Sequence, residues 1–220
     1  MMNKDYILRI AERFGRALAI ILRLRKSNQF EESLIYIDDV FLQTTGFTAS
    51  FVNSASEEML LQLISPLGIL NVQKCAWIAL LLKEEGDIYV EMGNEDESYF
   101  RYLKSLLFFL EVAKHEDEAR DIDIASAIEY DLQALEAFDL PQETYTRLFS
   151  YFDAAGQYTR ARDMLNEAVN KAEGSVDPKL FEQGKAFYER LWGRSDADLE
   201  AGGISRKEVE EGLERLEEKS

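Results

Sequence analysis

The chain has 220 residues, 46 % of them hydrophobic, with a formal net charge of −17, so it can bury one large core or two small ones. That charge repels phosphate backbones and argues against nucleic acid as a partner. A single cysteine, Cys75, and a single histidine, His115, rule out an intrachain disulfide and a Cys/His zinc cluster, so no cofactor is expected and a reducing cytoplasm is the natural setting.

Hydrophobic periodicity predicts ten helices, over 3–26, 29–44, 55–64, 70–92, 95–114, 117–138, 141–155, 157–173, 178–192 and 205–219. The first carries an apolar stripe at Ile7, Ile10, Phe14, Leu18 and Ile21. Residues 1–26 hold seven cationic side chains against Asp5 and Glu12, a net of +5 that leaves −22 on the remainder. Arg9, Arg13, Arg16 and Arg23 share a face opposite the stripe. This face suits an acidic partner, a phosphate or an anionic membrane surface, or else pairs with carboxylates of the chain's own body. The three prolines mark helix boundaries, Pro66 in a break and Pro141 and Pro178 in the first turn of a new helix. Ser54 with Glu57, and Ser205 with Glu208, have capping-box spacing.

Three segments resemble one another. Asn28, Gly93 and Gly156 stand where a residue in left-handed conformation would reverse the chain between paired helices. Five residues after each comes a small side chain, Ser33, Ser98 or Ala161, that permits close helix contact. Gly86 and Tyr89 match the small and aromatic positions on the first helix of a tetratricopeptide repeat, which these segments resemble over about half the chain. The chain as a whole is similar to bacterial helical proteins without an assigned activity. The resemblance implies an all-α fold of antiparallel helix pairs, forming a right-handed superhelix or a compact bundle of nine or ten helices. Its departures are the missing first-helix tryptophan, the missing closing proline, and turn spacings of 65 and 63 residues (28 to 93, 93 to 156) in place of 34. In the peptide-clamping members of that family Lys and Asn hold a peptide carboxylate. Here Lys83 fits the lysine, but Asp87 stands where asparagine is needed and would repel the ligand.

The helix from residue 95 is apolar on nearly every side, with Phe100, Leu103 and the run 106–110. It reads as enclosed by neighbours, with Phe100 and Phe108 as partner contacts if they face solvent. The acids Glu84, Glu85, Asp87 and Glu91, and those at 116–123, read as solvated surface. Cys75 reads as a core thiol and His115 as a helix-end residue. Phosphate-loop and hydrolase motifs are absent.

These observations give a helical domain over 1–192, a polar linker over 193–204 and a docked C-terminal amphipathic helix over 205–220. The expected function is that of a protein-interaction scaffold and not an enzyme, with an unidentified protein partner, self-association through the helix from 95 or the C-terminal helix, and no integral membrane association. The competing reading is a helical-bundle enzyme or small-ligand carrier with a carboxylate-lined cavity. Burial of the acids separates the two.

Overall fold

Helix α1 (Lys4–Lys26) puts Ala17 and Ile21 into the core and ends at Asn28, which takes a φ of 55°. In this computed structural model residues 4–119, 122–172 and 176–219 are described, with side chains from Glu12 onward except Glu116. Among the described residues there are twelve α-helices and no strand, so the fold is all-α. No described helix is long and apolar enough to cross a membrane. The chain divides into two compact units, Met1–Phe138 and Asp139–Ser220.

The first unit continues with α2 (Phe30–Thr45), α3 (Ala49–Ser54), α4 (Glu57–Leu63), α5 (Val72–Glu91), α6 (Glu95–Ala113) and α7 (Ile124–Ala134). The second contains α8 (Gln142–Ala154), α9 (Tyr158–Asn170), α10 (Pro178–Trp192), α11 (Asp196–Ala201) and α12 (Arg206–Glu218). In the first unit α5 packs on α6 and α2, and α6 on α7; in the second, α8 packs on α9 and α10 on α12.

One turn geometry recurs. The amide of Gln29 donates to the Leu24 carbonyl, Asn94 to Tyr89 and Gln157 to Phe152, at 3.0, 2.9 and 2.9 Å. In each case the bond spans a residue of positive φ, Asn28, Gly93 (72°) or Gly156 (71°), the arrangement that ends a helix and satisfies its last carbonyls. Ser33, Ser98 and Ala161, five residues on, are buried. A fourth copy follows α11, where Ile204 donates to Leu199 at 3.0 Å across Gly203 (φ 77°).

Several expected boundaries shift. Segment 193–204, expected as a linker, holds α11 and buries Leu199 and Ile204. Segment 117–138 is not one helix: a 3-10 turn at Glu116–Glu118 precedes α7. The Asp123 side chain caps α7 by accepting from the Ser126 amide at 3.0 Å. Ser54 forms no capping box because it ends α3, and its hydroxyl donates back to the Phe51 carbonyl. The cap of α4 is Ser56. The capping box at Ser205 and Glu208 is formed. Lysines close two other helix ends. Lys104 donates to the carbonyls of Val52, Asn53 and Ala55 at the end of α3, and Lys74 to that of Thr45, the last residue of α2.

Candidate functional site

Helix α5 is apolar on all sides from Cys75 to Leu82 and then continues, without leaving the core, through Glu84, Glu85, Gly86 and Asp87. The three acids are 6 %, 3 % and 5 % exposed, which overturns the expectation that they are solvated surface. Charges can remain in such a place only if paired. Arg25, at the end of α1, supplies one guanidinium to three carboxylates: Nη1 lies 3.0 Å from Glu84 and 2.8 Å from Asp87, and Nη2 lies 2.7 Å from Glu91. Lys83 adds contacts of 3.2 Å to Glu84 and 3.1 Å to Asp87, and lies 4.0 Å from the centroid of the Tyr130 ring. The hydroxyls of Tyr102 and Tyr130 both donate to Asp87 Oδ1, at 2.6 and 2.7 Å. On the next face, Glu85 accepts from Arg101 at 3.0 Å and from Asn53 at 3.1 Å.

The electrostatics follow from these contacts. Burial pushes the Asp87 carboxyl up, but Lys83, the two tyrosine hydroxyls and Arg25 outweigh it and hold its pKa below the usual aspartate value. Burial wins at Glu85, whose pKa is raised in spite of Arg101 and Asn53. Burial and the bond to Asp87 raise the Tyr102 phenol. Asp131 on α7 is fully buried, and among the described residues neither of its oxygens has a hydrogen-bond partner. The Ser105 hydroxyl beside it donates to the Ala79 carbonyl at 2.9 Å. Burial and the charge of Asp87 push the Asp131 carboxyl up to about 8 against the pull of Lys83. Among the described residues no group of three His, Cys, Asp or Glu side chains is placed to hold a metal ion.

The second unit presents a different kind of site. Between α8 and α10 runs an open groove of about 600 Å³, within the range of ligand-binding clefts. Ser150, Ala154 and Ala186 are small and exposed at its sides, and Phe149, Tyr158 and Phe187 line its floor. Phe149 and Phe187 meet edge to face at 5.3 Å. Its charged lining is two arginines and one aspartate. Arg190 pairs with Asp153. Arg194 lies 5.8 Å from the centroid of the Tyr158 ring and has no carboxylate partner among the described residues.

The predicted candidates are scattered. Arg13, Arg16 and Arg23 are exposed, and none is paired with a carboxylate among the described residues; the side chain of Arg9 lies outside them. The internal pairing considered for the first helix is made by Arg25, which lies off that face. Phe108 is fully buried, so it is no partner contact, whereas Phe100 is 59 % exposed. Lys83 is engaged with the α5 acids, and Gly86 lies against Tyr102. The Cys75 thiol is buried, and burial raises its pKa. Sequence reasoning missed the groove entirely. Its available signal was the spacing of small residues, Ser150 with Ala154 on α8, and Ala186 between Gln183 and Arg190 on α10.

Neither a curated protein nor a solved structure matches the chain. A family model does match, over residues 1–220, and it is described as a family of unknown function (DUF6483). The buried ionic cluster of the first unit and the aromatic groove of the second are therefore features of a chain that belongs to the family of unknown function DUF6483.

Proposed function

We propose that the chain is a tetratricopeptide-like interaction scaffold of the bacterial cytoplasm, whose second unit docks a peptide carrying a carboxylate next to an apolar side chain. The observation that carries this reading is the groove between α8 and α10. An aromatic floor takes the apolar side chain, and Arg194, which has no carboxylate partner among the described residues, takes the carboxylate. In a chain of net charge −17, a lining of two arginines and one aspartate is a local reversal of sign that selects for an anionic ligand. The repeated turn at Asn28, Gly93 and Gly156 supports the repeat-like reading, because the same reversal builds each helix pair.

Burial of Glu84, Glu85 and Asp87 is the feature a carboxylate-lined enzyme would show, but the scaffold reading is preferred because each of the three is already engaged by cationic or phenolic partners. Self-association enters through Phe100 alone among the contacts first considered. Phe108 is enclosed, and α12 buries Val209 and Leu216 while packing on α10.

The test is selection of a random library of short C-terminal peptides on the full chain, followed by anisotropy titration of the enriched sequences. Enrichment of an apolar residue beside a carboxylate is expected, with binding lost in Ala186→Trp, which fills the groove, and in Arg194→Glu, which reverses its charge. Enriched peptides that bind both variants as well as the parent chain would refute the assignment.

A further inference from the structure

The first unit holds a second concavity, unrelated to the peptide groove, of about 140 Å³. It is lined by Arg13 of α1, Gln43 and Thr44 in the last turn of α2, Asn71 before α5, and Gln73, Lys74 and Trp77 at the start of α5. Its chemistry is unusual for this chain. Acidic side chains outnumber basic ones by 42 to 25 overall, yet this lining contains two cations and no acid.

Lys74 gives one N–H to the Thr45 carbonyl at 2.8 Å, which leaves two of its three donors and positions the ammonium. The Thr44 hydroxyl gives its hydrogen to the Val40 carbonyl at 2.7 Å, so it can only accept from a ligand. Asn71 Oδ1 accepts from the Lys74 amide at 3.0 Å, which fixes the side chain and leaves its NH2 group as donor. Among the described residues the Gln43 and Gln73 amides make no hydrogen bond, and Arg13 has no carboxylate partner. Trp77, 8 % exposed, is held edge-on to Phe14 at 4.6 Å between centroids and forms one wall.

From these residues we propose that this concavity is a binding site for a phosphate group. A guanidinium from the middle of α1, a positioned ammonium and three amide groups from the end of α2 and the start of α5 reach it. That number of donors exceeds what one planar carboxylate uses and suits four tetrahedrally arranged oxygens. The volume accommodates a phosphate together with a water of about 30 Å³. Arg13 is exposed, while Lys74 and Asn71 are preset by the bonds they already make. The phosphate belongs either to a soluble phosphate monoester or to a lipid headgroup.

The two sources separate experimentally. In a Trp192→Phe background Trp77 is the remaining tryptophan and reports on the site directly. Titration with orthophosphate and with glycerol 3-phosphate should give a saturable change in its emission that an equal ionic strength of sodium chloride does not. Cosedimentation with vesicles containing phosphatidic acid, compared with neutral phosphatidylcholine vesicles, tests the headgroup. In whichever arm binds, Arg13→Ala should weaken it at least about tenfold, the loss of one charge-assisted contact. Gln73→Glu, which places a like charge in the lining, should abolish it. Arg16→Ala and Arg23→Ala, on the same helix but outside the lining, should leave it unchanged. Binding in neither arm overturns the site, as does equal weakening by all three arginine substitutions, since that would mark diffuse attraction. Melting temperatures of the variants close to the parent value guard against loss through unfolding.

Discussion

Gly86 on α5 faces the ring of Tyr102 on α6 so closely that a Cβ at Gly86 would stand 2.8 Å from the tyrosine Cε1. The contact admits the ring whose hydroxyl donates to Asp87, one residue along. Gly86→Ala is expected to destabilise the chain by about 2 kcal/mol, the cost of overpacking a site that cannot expand, even though alanine is the better helix former. Tyr102→Phe keeps the ring and loses only the hydroxyl, and its expected cost is about 1–2 kcal/mol. Urea unfolding of the single and double variants checks the coupling. If the clash is transmitted through the ring, Gly86→Ala should cost less in a Tyr102→Ala background than in the parent chain.

Arg25 is the side chain by which α1 is tied to the acids of α5. Replacing it with methionine keeps its apolar stem and leaves Glu84 and Asp87 with Lys83 as their cationic partner. The expected loss is about 3–5 kcal/mol, as for removal of one member of a buried ion pair. Arg25→Lys should recover only part of it, because one ammonium cannot reproduce the fork in which Nη1 meets two carboxylates and Nη2 a third. Limited proteolysis should then cut first within α1, and a variant as resistant as the parent would refute the tie.

The helix pairs were legible in the sequence because a residue that accepts positive φ, followed five positions later by a small one, is a local pattern. Asn28, Gly93 and Gly156 carry it. The reversal at Gly203 was hidden because the helix before it, α11, is only six residues long, too short for an apolar period, so Gly202 and Gly203 read as linker. Burial of the α5 acids was not legible from composition, since adjacent acids on a helix ordinarily point to water. One signal was present: an all-apolar run from Cys75 to Leu82 is followed, after the single Lys83, by Glu84, Glu85 and Asp87, with Gly86 among them to admit a neighbour. The cations that neutralise these acids lie on other helices, Arg25 on α1 and Arg101 on α6, and only tertiary structure brings them there.

Asp131 makes the stability of the chain depend on pH. Its carboxyl is raised from the ordinary 3.8 to about 8, so between these values the folded chain holds a proton that the unfolded chain has released. The contribution is fully present below about pH 4 and is lost as pH rises through 8. Asp131→Asn removes the titration while keeping the shape. The variant is expected to be more stable than the parent at pH 8, by a few kcal/mol, and nearly equal to it at pH 4. Thermal melts across that interval provide the check. Parallel curves for the two proteins would mean that Asp131 does not titrate on unfolding.

Tyr158 links the packing of the second unit to its groove, since its ring lines the groove and also rests on Gly202. A Cβ at Gly202 would lie 2.0 Å from the Tyr158 Cδ2, closer than any side-chain contact tolerates. The backbone beside it is fixed as well: the Thr159 amide donates to the Gly202 carbonyl at 3.3 Å, and the Thr159 hydroxyl donates to that of Gly203. The ring cannot turn away without entering the groove or parting α11 from the start of α9. Gly202→Ala is therefore expected to destabilise the chain by about 3 kcal/mol, at the upper end of overpacking costs. Tyr158→Ala should relieve the clash, so that Gly202→Ala costs less in that background than in the parent chain. Urea unfolding followed at Trp192, which lies at the end of α10 with the Arg206 guanidinium 5.6 Å from its ring centroid, measures both. A Gly202→Ala chain of parent stability would show that the contact yields freely, and the Tyr158 wall of the groove would then be soft rather than preset.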